Sequence, residues 1–325
     1  MSTRLGSFAQ WQLSRSSTPH SDLADLVYRA AGSMLVEADR IFEGYSNEVY
    51  RVRCADDQGV VVRILRFDDD VSYSVAAREA AVIEMARGAG LPVPEVLLLD
   101  TVRMDGAEFP VMVQRRVPGQ PLAEVIDRLS QRQRDQLLSE LGALIARLSQ
   151  VPVDGRLDWP TAMATELADR YADRNKILAG GFSGPEFDRM LGLLEGYVVD
   201  FPCEQWVLCH GDLSLKHIFV TTDGSHDTDH GTVRVGGIID FGDWKPGAPV
   251  HDLAALRVRE PQLDLAQILD GYCVRTDPTF RRRLGLHTLL VALGSLAFNV
   301  DEDDHAGIVQ SAKQIRNLIR GLPDR

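Results

Sequence analysis

The sequence predicts an α+β chain in two lobes, a small antiparallel sheet followed by a larger helical part. Three observations carry this expectation. Between Leu35 and Val113, short runs rich in β-branched residues recur with turn signals between them. From Leu122 onward the apolar residues fall at helical spacing, as in Leu137, Leu138, Leu141, Leu144, Ile145 and Leu148. The length, 325 residues, exceeds one average domain. Pro118-Gly119 punctuates the change of pattern and sets the expected lobes at 1–117 and 118–325.

Ser21-Asp22 opens a short helical pattern (Leu23, Leu26, Val27, Ala30) that stops at Gly32. Strand signals follow at Leu35-Val36, Ile41-Phe42, Val49 to Val52 and Val60 to Leu65, with Asp56 to Gly59 as a hairpin turn. Alternation along the last of these puts Arg63 and Leu65 on one face and Arg66 on the other. Val75 to Arg87 reads as a helix, ended by Leu91-Pro92-Val93-Pro94 because the residue before a proline is pushed out of the α region. Glu95 to Leu99 and Phe109 to Val113 are strands around a hairpin at Met104-Asp105-Gly106.

In the second part, Ser130 caps the helix that carries Leu137 to Leu148. Asp158 to Ala179 and Pro185 to Val199 give two more, the latter with proline in its first turn. After Asp252 the chain reads as helical to its end, in blocks near Leu263 to Val274, Phe280 to Phe298 and Ile308 to Leu318. The apolar stretch from Leu289 to Phe298 is too short to span a bilayer and is expected to be buried.

Composition excludes several classes. Net charge is −12, which argues against nucleic acid and anionic membrane surfaces as partners. Met1 to Ser17 has no continuous apolar core and does not read as a signal peptide. The cysteines (Cys54, Cys203, Cys209, Cys273) show no metal-ligand spacing and no disulfide density, so reduced thiols in a cytoplasm are expected. No obligate protein partner is evident.

Chemistry concentrates in two elements. The apolar run Trp206 to Cys209 delivers His210-Gly211-Asp212, and a second apolar run, His217 to Val220, follows. Two β-type runs around a short polar loop place Asp212 at a strand end, where it would face a cleft. Ile238-Ile239-Asp240-Phe241-Gly242-Asp243 is a second strand ending in a carboxylate, then a glycine that lets the backbone turn. Such an ordered pair suits phosphoryl transfer. One carboxylate takes or orients the acceptor proton and the other holds Mg²⁺ against the phosphates.

With Gly247-Ala248-Pro249-Val250-His251-Asp252-Leu253-Ala254 as a third element, the chain resembles the aminoglycoside phosphotransferase family, the small-molecule branch of the protein-kinase-like fold. The resemblance implies a bilobal kinase-like α+β fold with ATP or GTP as co-substrate, Mg²⁺, and a small-molecule hydroxyl acceptor, with cationic molecules among the candidates. It implies Asp212 as the base, Asp240 as metal ligand, and His210 and Asp252 as supports of the catalytic loop. Arg63 takes the place of the phosphate-pairing base, with Glu79 as its ion-pair partner; a solvated edge arginine and a helix-surface glutamate are the plain alternatives. Gly44, Tyr45, Ser46 and Asn47 stand in the loop expected to cover the phosphates. Gln114 and Arg116 fall in the hinge that reads the purine through backbone groups.

Two departures from the family pattern stand out. His217 replaces the usual asparagine ligand, and imidazole suits so hard a cation less well. It assists the metal directly or through water. Arg63 and His217 are both features shared with macrolide kinases, so an aminoglycoside or macrolide antibiotic is the implied acceptor. A metabolite kinase for an amino alcohol or sugar, or a non-catalytic kinase-like binding module, are the alternatives. Asp301, Glu302, Asp303 and Asp304 are candidates for binding substrate ammonium groups, or else form an acidic approach to a helix N-terminus. The stretch 222–231, with its His and Asp content, reads as a polar hairpin tip rather than a metal site.

Overall fold

The strand signals between Leu35 and Val113 become one antiparallel five-stranded sheet, in the order β1-β2-β3-β5-β4. Its strands are β1 (Leu35–Ile41), β2 (Asn47–Cys54), β3 (Gly59–Leu65), β4 (Val96–Met104) and β5 (Ala107–Arg115). The structure is a computed structural model, and it describes residues 17–42, 47–66, 73–104, 106–153, 158–223, 231–273 and 278–322. The chain divides into two compact units. One is formed by residues up to Gly119 with Gly236–Gly242, the other by Gln120–Val235 with Asp243 onward. The expected boundary lay at 117/118 with Asp240 in the second part. Asp240 instead clusters with the sheet, because Ile238 N–H donates to Pro92 O at 2.7 Å and Asp240 lies beside Arg63.

In the first unit, β1 is one strand where the sequence showed two short runs, and its pairing with β2 continues from Leu35 to Ile41 through one register shift. Helix α1 (His20–Ala31) starts two residues earlier than Ser21-Asp22 suggested. Pro19 is its N-cap, and its carbonyl accepts from the Asp22 and Leu23 amides at 3.0 and 3.1 Å. Gly32 caps its other end as expected. Leu23, Leu26 and Val27 of α1 are buried with Tyr50, Val52, Val60, Val62, Ile64, Val111 and Val113. Each such aliphatic side chain contributes about 1.5–3 kcal/mol by leaving water. The alternation that gives Val60, Val62 and Ile64 to this core turns Arg63 to the opposite face. There it meets Glu79 of α2 (Tyr73–Gly88).

In the second unit, a one-turn helix α3 (Leu122–Val125) precedes α4 (Gln131–Leu148), whose N-terminus has a reciprocal capping box between Ser130 and Gln133. The segment expected as one helix from Asp158 to Ala179 is two, α5 (Trp159–Ala172) and α6 (Arg174–Ala179). Asp173 breaks it, capping α5 while its carboxylate holds Arg170 at 3.3 Å and Lys176 at 3.2 Å. Helix α7 (Gly184–Asp200) starts at a second capping box, Ser183 with Glu186. Strand β6 (Gln120–Pro121) pairs with β8 (Ile218–Asp223), which neighbours β9 (Thr232–Ile238), and β7 (Val207–Cys209) pairs with β10 (Lys245–Gly247).

Helices α8 (His251–Arg259), α9 (Leu265–Tyr272), α10 (Pro278–Asp301) and α11 (His305–Gly321) complete the unit. α4 and α9 approach backbone to backbone. A Cβ at Gly142 would meet Ile268 O at 1.9 Å, and one at Gly271 would meet Ser139 O at 1.8 Å. α10 exceeds the expected Phe280 to Phe298 and is long and apolar enough to cross a bilayer, but most of its apolar window is buried.

Candidate functional site

The first group of candidate residues lies in the sheet unit. Arg63 sits mid-strand in β3, opposite Val49 of β2 and Met112 of β5, so the backbone on both sides fixes it. Its side chain is only 10% exposed and pairs with Glu79, itself 5% exposed, and at 3.5 Å with Asp240. Burial works against the guanidinium charge, but the two carboxylates outweigh it and the pKa of Arg63 is raised. Arg66 points the other way, as alternation requires, and pairs with buried Glu48 at 2.7 Å. Neither arginine is a solvated edge residue.

Asp240 adopts φ +69, a left-handed conformation that short polar residues tolerate best, and its side chain is 46% exposed. Asn47 opens β2 opposite Leu65. Gly44, Tyr45 and Ser46 lie outside the described residues. Gln114 is still within β5, buried, with its amide nitrogen 3.0 Å from Met112 Sδ. Arg115 N–H is given to Glu95 O and Arg116 N–H to Gly59 O, so neither donor remains for a purine.

The second group is in the helical unit. β7 is fully buried and delivers His210 with no exposed surface. Gly211 then turns at φ +83, and a Cβ there would lie 1.9 Å from Asp243 O, so only glycine fits. Buried Asp252 accepts the His210 amide at 2.9 Å and the Gly211 amide at 3.1 Å. Burial pushes its carboxyl up, with His210 and the two amides pulling against it. Asp212 is thereby held at a defined place, 16% exposed at its side chain.

Around Asp212 three groups converge. His217 Nδ1 lies 2.8 Å from the Asp212 carbonyl and 3.6 Å from its Oδ2. A carbonyl only accepts, so Nδ1 carries a proton and donates it. The His210 and His217 rings stack with centroids 5.9 Å apart. Arg259, at the end of α8, pairs with Asp212 Oδ1, and Glu260 accepts the Leu215 amide at 3.0 Å. The sequence reading missed Arg259 and Glu260. Seven positions separate Asp252 from Arg259, two helical turns on one face, and that spacing was the available signal.

Other candidates are placed elsewhere. Asp304 caps α11 by accepting Gly307 N–H at 3.1 Å, and Asp301 pairs with Lys176 at 2.5 Å. Asp304 fits the helix-terminus alternative, whereas Asp301 ends α10 and is taken up by the ion pair with Lys176. Residues 224–230 of the hairpin stretch are outside the described residues. Among the described residues, no group of three His, Cys, Asp or Glu side chains is placed to hold a metal. A cavity of about 530 Å³ beside the loop is lined by Leu215, Glu260, Asp127, Asp135, Asp264 and Arg134, carboxylates outnumbering the cation. Behind α8, Tyr197 Oη meets His287 Nδ1 at 2.8 Å and His287 Nε2 meets His251 Nδ1 at 2.9 Å.

Comparison with known proteins gives a consistent picture. The GDP complex of wild-type aminoglycoside 2'-phosphotransferase-IIIa superposes with a TM-score of 0.66 at 18% identity, covering 94% of this chain and 99% of that one. Macrolide 2'-phosphotransferase MphH from Brachybacterium faecium gives 0.54 at 20% identity, covering 94% and 99%. A choline/ethanolamine kinase family protein from Mesorhizobium loti gives 0.60 at 18% identity, covering 92% and 94%. No curated protein matches the chain by sequence. At these identities the solved structures establish the kinase-like α+β fold. The model of the phosphotransferase enzyme family, APH, matches residues 37–286, most of the chain. A sheet unit holding Arg63, Glu79 and Asp240, a buried strand leading to Asp212, and this match together make the chain a member of the phosphotransferase enzyme family.

Proposed function

We propose that the protein transfers the γ-phosphoryl group of ATP or GTP to a hydroxyl of a small molecule. The observation that carries the reading is Arg63, a buried guanidinium held between Glu79 and the half-exposed Asp240. Burying this charge cluster costs desolvation that pairing only partly offsets, and binding nucleotide phosphates is a role the arrangement suits. Asp212 orients the acceptor hydroxyl and takes its proton, on a loop tied down through Asp252. Asp240 would supply a hard oxygen ligand for Mg²⁺, with His217 assisting directly or through water. Bound Mg²⁺ supplies charge neutralisation on the phosphates.

An aminoglycoside or macrolide antibiotic is the proposed acceptor, supported by the two antibiotic phosphotransferases of the same fold. The acidic lining of the cavity beside Leu215 suits an amine-bearing molecule. An amino alcohol is the second reading, favoured by the choline/ethanolamine kinase family structure.

The test is nucleoside diphosphate release with Mg²⁺ from ATP and from GTP, against kanamycin, a macrolide, choline and no acceptor, with Asp212→Ala alongside. Acceptor-dependent release that Asp212→Ala loses is the expected result. Release by Asp212→Ala at the wild-type rate sinks the assignment of the base, and no release with any acceptor or with water sinks the reaction.

A further inference from the structure

Helix α8 grips the loop that carries Asp212 at both of its own ends. At its first turn Asp252 takes the His210 and Gly211 amides. At its last turn Arg259 takes the Asp212 carboxylate, and the next residue, Glu260, takes the Leu215 amide. The helix is a firm support: His251, Asp252, Leu253, Ala254, Ala255, Leu256 and Val258 are all buried. A cation in its final turn is also favoured by the helix dipole. Glu260 is itself held, since Gln262 Nε2 donates to its second oxygen at 3.1 Å.

The pairing at Asp212 is one-sided. Arg259 engages Oδ1, while Oδ2 lies 3.6 Å from His217 Nδ1, too far for a strong bond, and that nitrogen is committed to the Asp212 carbonyl. We infer that Arg259 is a positioning residue that fixes one oxygen of Asp212 so that the other is presented to the acceptor hydroxyl. The inference rests on the phosphotransferase reading above. In the transfer, the hydroxyl proton passes to Asp212 Oδ2 as the acceptor oxygen bonds to the γ-phosphorus and the bond from that phosphorus to the leaving diphosphate breaks. Arg259 makes and breaks no covalent bond. Its effect is geometric, and a misplacement of the base by about 1 Å costs on the order of 10²-fold in rate.

The experiment compares wild type with Arg259→Ala, Arg259→Met and Arg259→Lys in full-length protein. It uses diphosphate release from MgATP and MgGTP with kanamycin, a macrolide, choline and water as acceptors, and melting temperature for each variant. Arg259→Ala and Arg259→Met are expected to lower kcat by about 10–100-fold with the nucleotide KM unchanged, and Lys to recover part of the loss as a point charge without the guanidinium fork. A kcat equal to or above wild type in Arg259→Ala overturns the inference, the latter revealing a blocking contact instead. So does a fall in kcat that tracks a fall in melting temperature and is not recovered by Lys, because that marks a structural brace. A wild type that turns over nothing, water included, overturns the phosphotransferase reading and the role of Arg259 with it. An active wild type with an unaffected Arg259→Ala overturns the role of Arg259 alone.

Discussion

Replacing Glu79 with glutamine leaves Arg63 charged, buried and short of its main partner. The side chains are 10% and 5% exposed, so water does not step in to solvate the orphaned guanidinium. Removing one member of a buried pair costs roughly 3–5 kcal/mol. Asp240 remains at 3.5 Å, but the contact is long and its carboxylate is half-exposed, so it recovers only part of the loss. The expected cost is therefore about 3 kcal/mol, a large share of the 5–15 kcal/mol typical of a folded domain. The described tryptophans, Trp159, Trp206 and Trp244, belong to the helical unit, so their fluorescence is the wrong probe for the sheet unit. Hydrogen exchange at the β3 amides around Arg63, followed through denaturant, reads the sheet directly. The double variant Arg63→Met with Glu79→Leu removes both charges and is expected within about 1 kcal/mol of wild type. If Glu79→Gln exchanges like wild type, or the double variant is less stable than the single, the account of this pair is wrong.

Two further predictions concern the helical unit. Burial holds the His287 imidazole down to about 3 and His251 well below its usual value, with Arg283 facing His287, Arg259 facing His251 and Lys245 facing both. The unfolded chain binds a proton at each near 6.5, so below that value the folded state binds fewer protons. Stability is complete above about pH 6.5 and falls below it, for His287 by roughly 1.4 kcal/mol per unit down to about pH 3, with His251 acting in the same direction. Denaturation midpoints between about pH 7 and pH 5 check this, and His287→Gln should flatten the slope; a pH-independent midpoint contradicts it. Gly211→Ala forces a left-handed alanine, costing about 1–3 kcal/mol, into a Cβ position 1.9 Å from Asp243 O. A stability loss of at least that size with turnover abolished is expected, and a wild-type denaturation midpoint would disprove the tight turn.

The sheet and its two arginines were legible because strand alternation is a strict two-residue period: it separated Arg63 from Arg66 before any contact was known. The Arg63–Glu79 pair was legible through motif order, since the two are far apart in strand and helix and no local rule joins them. Arg259 was not. An arginine in the last turn of a helix is ordinarily explained by the dipole, and its two-turn spacing from Asp252 points at Asp212, 47 residues upstream, only once Asp252 is seen to hold that loop. The break at Asp173 was hidden for a similar reason. Nothing between Asp158 and Ala179 stops a helix by propensity after Pro160, and the interruption is confined to one residue, Asp173, whose ψ of 2 leaves the helical range. The start of α1 was misplaced because Ser21 has the chemistry of a cap, while Pro19 supplies the geometry. In the hinge, backbone bonding decides which amides are spoken for, and backbone bonding leaves no trace in residue identity.

Asp240, at φ +69, stands where folding and chemistry select for different residues. Glycine would relax that backbone at no steric cost, and asparagine would adopt it nearly as well, whereas a β-branched residue would strain it. A saturation scan at this position would therefore return two different rankings. Scored by cellular abundance, asparagine should come close to aspartate, its tolerance of the left-handed backbone set against the lost pairing with Arg63. Scored by phosphoryl transfer, under the reading above, only aspartate should survive. A position whose backbone accepts asparagine, and whose carboxylate the proposed reaction needs, offers an experimenter Asp240→Asn, expected to fold and not turn over, for studying ligand binding in isolation.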